Sequence, residues 1–223
     1  TDVKALSCGH FDIDYALYQN SISLGLIEKD TLKINCLKDI INKFPNSSYY
    51  DNALYDLAEY YKNIGIYKLA QTYYDSLIFC SNDDDLAASS YLSIGMIFFN
   101  SSKIELAIEK FLFVVNNYQK TKFLKEALSA LKSAYSTLGE VDKYLSLIES
   151  LPDVSITEAE QDSLIFSAAF MKFSEMDYQV ANDAFNKYLQ KFEKGIFMMD
   201  ATYYYAISSL KLGDTISAVI KRY

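Results

Sequence analysis

At 223 residues, with 51% hydrophobic side chains but only two prolines and seven glycines, the chain is too apolar for disorder and too poor in turn formers for a β architecture. A formal charge of −8 argues against a nucleic-acid binder, whose affinity comes largely from lysine and arginine displacing counterions from phosphate, and it disfavours anionic membrane surfaces by the same sign. Three cysteines without C-x-x-C spacing, Cys8, Cys36 and Cys80, indicate neither a disulfide framework nor a zinc knuckle, and no apolar run approaches the roughly 18 residues of a membrane helix.

Residues 1–13 lack periodicity and read as an irregular leader or the end of a preceding repeat. The chain starts at Thr1 without methionine and stops at Tyr223 inside a helical pattern, so it is read as a piece of a longer protein. Ala5-Leu6-Ser7-Cys8-Gly9 is faintly similar to a lipoprotein processing site, but Asp2 and Lys4 interrupt its apolar run. Helices follow over 14–26 and 30–43, broken at Phe44-Pro45-Asn46-Ser47-Ser48, where proline lacks an N–H and ends one helix before the next begins. Two more cover 51–62 and 67–79, hinged at Gly65, which can supply a positive φ. Asp83, Asp84 and Asp85 then precede a helix over 86–100; they read as caps complementing its dipole, since a calcium loop needs oxygens spaced through a turn. Helices over 103–117 and 122–138 come next, then a second helix cut short at Leu151-Pro152, where a bend is expected. Helices over 158–174 and 178–191 and one over 199–212, with a partner from Thr215 onward, complete the chain. Cys36 and Cys80, late in second helices, read as small packing residues.

A period of 37 residues aligns most of this. With Asp51 as position 1, position 8 reads Ser21, Ala58, Gly95, Lys132, Ala169 and Ala206, and position 20 reads Lys33, Ala70, Ala107, Tyr144, Ala181 and Ala218. Position 3 gives Ala16, Ala53, Ser90, Ala127, Leu164 and Ala201, whereas the large position 24 gives Leu37, Tyr74, Phe111, Ile148 and Phe185. Small residues in register let helix axes approach, and large ones fill the seam. The pattern resembles the tetratricopeptide repeat, and the resemblance implies an all-α fold: a right-handed superhelical α-solenoid of about six helix-turn-helix hairpins, with repeats at 14–50, 51–87, 88–124, 125–161, 162–198 and an incomplete 199–223.

Catalytic chemistry is not indicated. His10 is the lone histidine, no metal spacing or nucleophile motif is present, and Glu158, Glu160 and Asp162 stand at a helix start, where acids are ordinary; no cofactor is expected. The resemblance implies instead a concave face built from positions 2, 5, 9, 12 and 13 of each first helix. Those positions place Tyr18, Tyr55, Leu92, Phe166 and Tyr203, then Met96 and Phe170, then Phe99 and Phe173, in an aromatic and apolar lining that either grips a partner protein or packs as core. Position 6, reading Gln19, Asp56, Ser93, Ala130, Ser167 and Tyr204, does not encode the basic clamp with which some members hold a terminal carboxylate.

Phe44-Pro45-Asn46-Ser47-Ser48-Tyr49 before Ala53-Leu54-Tyr55-Asp56-Leu57-Ala58, and Glu160-Gln161-Asp162-Ser163-Leu164 before Ala168-Ala169, resemble long Bacteroidetes-type tetratricopeptide proteins and, more distantly, periplasmic outer-membrane assembly lipoproteins of the same class. That likeness implies a protein-binding envelope scaffold, with a periplasmic setting. A glycan-binding surface protein is the rival, against which the absence of tryptophan counts, and an enzyme of another type is the third.

Overall fold

In the computed structural model of the protein, residues 12–213 are described, and all their regular structure is helical. The leader before Asp12, with Cys8 and His10, and the closing segment with Asp214 and Ala218 lie outside the described residues. The helices are α1 (Asp12–Leu26), α2 (Asp30–Lys43), α3 (Tyr50–Asn63), α4 (Tyr67–Cys80), α5 (Asp84–Asn100), α6 (Ile104–Asn117), α7 (Leu124–Leu138), α8 (Val141–Ser150), α9 (Glu158–Ser174), α10 (Tyr178–Lys191) and α11 (Met198–Lys211). The first begins two residues inside the expected leader.

Odd-numbered helices end, and even-numbered ones begin, on a shared turn. Residues 28, 65, 102, 139, 176 and 213, each 37 after the last, all have positive φ: Glu28, Gly65, Ser102, Gly139, Met176 and Gly213, between 58° and 83°. One left-handed step reverses the chain and lets the next amide reach back to the last turn, as in Lys29 N–H to Leu24 O (2.9 Å), Ile66 N–H to Tyr61 O (2.8 Å) and Asp177 N–H to Lys172 O (3.0 Å). Second helices therefore start at Asp30, Tyr67, Ile104, Val141 and Tyr178, in strict 37-residue register. First helices do not. Helices α5 and α9 are 17 residues long against 14 for α3 and α11, and their starts carry side-chain caps. Asp83 accepts from the Asp85 and Leu86 amides, and Thr157 forms a capping box with Glu160, whereas α3 and α11 begin without a side-chain cap. A satisfied first turn extends the helix about one turn toward its junction.

The backbone divides into two compact units, Thr1–Ala127 and Leu128–Tyr223, with the boundary inside α7. It lies well before the 151–157 connection, where the sequence departs most from its own pattern. In the first unit, the hairpins α1–α2, α3–α4 and α5–α6 pack internally, with α2 on α3 and α4 on α5. The expected packing residues Leu37, Ala58, Ala70, Tyr74, Ala107 and Phe111 are fully buried, and Ile40, Leu57 and Val114 join them. A Cβ placed on Gly95 would come within 2.4 Å of the Phe111 ring, so α5 and α6 touch where only glycine fits. In the second unit α10 packs on both α9 and α11, burying Ala169, Ala181, Phe185, Tyr188 and Ala201.

Two expected packing residues are not buried. Ala16 is exposed on α1, with no described helix before it, and Cys80 is exposed because it closes α4 beyond the main contact with α3, its thiol 3.8 Å from the Asp51 carboxylate. Cys36 is half-buried beside Asn20.

Met176→Gly and Glu28→Gly should each raise stability by about 0.5–1 kcal/mol, since a left-handed residue with a Cβ costs more than glycine's extra freedom. Thermal or urea melts check this, and lowered stability in both would contradict the reading. Gly95→Ala should lower it by about 1–3 kcal/mol through overpacking against Phe111.

Candidate functional site

In the first unit α3 and α5 line a cleft of about 530 Å³, to which positions 5, 9 and 13 of both helices contribute. Tyr55, Glu59, Lys62 and Asn63 come from α3; Ser89, Leu92, Met96 and Asn100 come from α5; Phe123 and Glu126 close one side. Three of the predicted lining residues, Tyr55, Leu92 and Met96, therefore meet. Leu92 is buried, whereas Met96 is 40% exposed and offers its thioether to solvent. The Tyr55 ring is half-buried, and its hydroxyl hydrogen-bonds Ser89 Oγ at 2.9 Å. Burial is the main reason its phenol titrates above the usual tyrosine range; the Ser89 bond opposes this, and the Glu59, Asp56 and Glu126 carboxylates add to the rise.

Glu59 is the hub of the cleft floor. Its Oε1 accepts from Lys62 Nζ at 2.6 Å, from Ser93 Oγ at 3.3 Å and from the hydroxyl of Tyr74, the fully buried ring at the centre of the α3–α4 hairpin. Lys62 Nζ also reaches Ser93 Oγ at 3.4 Å. Burial, followed by the bond to Glu59, pushes the Tyr74 phenol far above its ordinary 10.0. Sequence reasoning assigned position 9 to the concave face and position 24 to the core, but not the bond joining them. The signal available was a glutamate at position 9 in the repeat that carries tyrosine at position 24.

The other predicted residues lie elsewhere. Tyr18 is half-buried, stacks on Tyr49 at 5.1 Å between ring centroids, and turns its hydroxyl to Asn52 and Asp56. Phe99 is half-buried and outside the cleft lining. In the second unit Phe166 stacks on Phe197 at 4.5 Å, while Phe170 and Phe173 lie 5.0 and 4.9 Å from Tyr204, so these rings meet one another and α11. Phe170 remains 38% exposed, and Tyr203, 60% exposed, meets the edge of Tyr204. The cleft between α7 and α9, about 800 Å³, is lined instead by hydroxyls, among them Ser129, Ser133, Ser136, Thr137, Ser163 and Ser167. Among the described residues, three of the nine expected lining residues, Tyr55, Leu92 and Met96, share one cleft.

The acids at the start of α9 have structural tasks. Glu160 accepts from the Thr157 amide and hydroxyl, which hold its carboxyl below the usual range. Asp162, 3% exposed, accepts from Tyr188 Oη and from the Ile196 amide at 2.6 Å, while Tyr188 Oη accepts from the Phe197 amide at 3.0 Å. This pair ties the α10–α11 turn to α9. Lys172 caps the end of α7 by donating to Thr137 O at 3.3 Å. Among the described residues, no group of histidine, cysteine, aspartate and glutamate is placed to hold a metal ion, and no helix is long and apolar enough to cross a membrane.

No protein-family model matches the chain. It is similar to the outer membrane protein assembly factor BamD of Rickettsia prowazekii (strain Madrid E), 27% identical over 150 residues, a match covering 62% of this chain and 51% of that protein. The chain thus spans about half the length of the curated relative it matches. A tetratricopeptide repeat protein from Parabacteroides merdae superposes with a TM-score of 0.53 at 14% identity, over 94% of this chain and 77% of that one. The quorum sensor NprR from B. thuringiensis superposes with a TM-score of 0.44 at 15% identity, over 95% and 63% of the two chains. The fold is an all-α, tetratricopeptide-type helical repeat, and the chain resembles a Bacteroidetes-type member and, more distantly, BamD.

Tyr74 and Tyr188 ionise later in the folded chain than in the unfolded one, so their stabilisation is whole below pH 10.0 and is lost as the pH climbs through their raised values. Helix content should therefore fall in a cooperative transition above pH 10.0, and the last fraction of tyrosinate absorbance should appear in that same transition. Complete tyrosinate formation with helicity intact would contradict this.

Proposed function

We propose that the protein is a non-catalytic scaffold that holds a segment of a partner protein in the α3–α5 cleft. The observation carrying this reading is the cleft's composition: Tyr55, Leu92 and Met96 converge there, and the hydroxyls and the ammonium beside them, Tyr55, Ser89, Ser93 and Lys62, are already hydrogen-bonded within the protein. An apolar strip edged by satisfied polar groups can shed water to another surface without stranding donors of its own. A tyrosine and a partly exposed methionine also add contact area while ordering few torsions.

The absence of catalysis belongs to the same reading. The buried acid Asp162 is committed to Tyr188 and a backbone amide, and the cleft acid Glu59 shares one oxygen among a lysine, a buried serine and a buried phenol, an arrangement that holds the helices together. The likeness to an outer membrane protein assembly factor supports a role in a bacterial envelope complex.

A photo-cross-linking residue at position 96 should form an adduct with the partner in cells of the source organism, whereas one at the fully outward Phe79, 93% exposed on α4, should not. Tyr55→Ala should reduce the adduct at position 96 about tenfold while the helical signal at working temperature is retained, in keeping with a hot-spot tyrosine. Equal adducts at both positions, or an undiminished adduct in Tyr55→Ala, would sink the proposal.

A further inference from the structure

The chemistry of the same cleft points to the kind of segment it takes, an inference that rests on the groove reading above. Two carboxylates, Glu59 and Glu126, line it against one cation, Lys62, and that cation is spent on Glu59 and Ser93. The three donors that reach Glu59 all converge on Oε1. Among the described residues no buried side-chain oxygen is left without a partner, so Oε2 lies on the accessible side of the carboxylate. Glu59, a lining residue of the cleft, is thereby fixed through Oε1 while Oε2 stays accessible. A preoriented acceptor gives up little side-chain freedom on binding, so more of a charge-assisted bond appears as affinity. Glu126, exposed in the first turn of α7, adds a second negative charge near the Tyr55 hydroxyl, and the chain as a whole carries −8. Leu92 and Met96 supply apolar surface in the same cleft.

We infer that the α3–α5 cleft selects a cationic, amphipathic peptide segment, its arginine or lysine bonding Glu59 Oε2 and facing Glu126 while a neighbouring aliphatic side chain rests on Leu92 and Met96. An acidic or phosphorylated segment is excluded from this cleft by like charge. Arginine suits the site better than lysine, because its fork can engage a carboxylate and still lie flat on the Tyr55 ring.

The test uses fluorescein-labelled short peptides of alternating leucine and arginine, leucine and glutamine, or leucine and glutamate, titrated with the whole chain and read by anisotropy at fixed salt. The leucine–arginine peptide should bind, the leucine–glutamate peptide should not, and the leucine–glutamine peptide should bind about tenfold more weakly than the first, the ratio that about 1.4 kcal/mol confers. Glu59→Gln and Glu126→Gln should each weaken the leucine–arginine peptide about tenfold or less. Glu105→Gln, on the exposed start of α6, should leave it unchanged. Glu126→Gln keeps the test decisive if Glu59→Gln loosens the hairpin. Equal binding of the arginine and glutamine peptides, abolished by Met96→Ala, would overturn the charge selection and leave the groove reading standing. Binding weakened as much by Glu105→Gln as by the cleft variants would reduce the effect to overall charge and overturn the inference. Binding of none of the peptides, or binding indifferent to every cleft variant including Met96→Ala, would overturn the inference and count against the groove reading as well.

Discussion

At six places, 37 residues apart, the backbone takes one left-handed step, and after the first five of them the positions of α2, α4, α6, α8 and α10 follow from it. The step closes each first helix, satisfies a carbonyl of its last turn and launches the partner helix at a set angle, so that Ala70, Ala107 and Ala181 come to rest at buried contacts. Large rings at position 24 then fill the seams: Tyr74, Phe111 and Phe185 are fully buried, each in a different hairpin. Gly95 against Phe111 shows how little slack remains at the closest approach. Because the reversal is backbone geometry, it survives where glycine is missing, and Glu28, Ser102 and Met176 bear the steric cost of a Cβ there.

This explains which parts of the fold were legible in the sequence. The apolar period and the small residues in register announced the helices and the core, and the boundaries of α9 and α10 coincide with those read from the pattern. Gly65 marked one turn openly, but the equivalent Glu28, Ser102 and Met176 carry no such mark, since their conformation is imposed by the helices on either side. The starts of the first helices were harder to place because they depend on capping bonds from single residues, as Asp83 and Thr157 show. Cys80 was misjudged for a related reason: periodicity assigns a face but not how far along a helix the neighbour extends.

Counting repeat positions in the sequence brings some of the expected lining residues to one cleft and leaves others apart. Tyr55, Leu92 and Met96 share one cleft, whereas Phe166, Phe170 and Phe173 turn toward Tyr204 and Phe197. An aromatic residue at a groove position faces solvent or a neighbouring helix according to what that neighbour carries, and no count of positions contains that information. The hydroxyl-rich surface between α7 and α9 illustrates the point, since several of its hydroxyls bond their own helix, as Ser133 to Ser129 O and Thr137 to Ser133 O.

Glu59 belongs to two structures at once. Its carboxylate edges the cleft, and it also receives the hydroxyl of Tyr74 from the interior of the α3–α4 hairpin. The outer surface and the core thus share one residue, which binds their histories together. A descendant chain that lost the acid would leave the Tyr74 phenol with Ser93 in place of a charged acceptor, and phenylalanine at position 74 is the substitution that would relieve it. Among diverging copies of this protein, positions 59 and 74 are therefore expected to covary, while Met96, which has no such tie to the interior, is free to drift with whatever the cleft comes to hold.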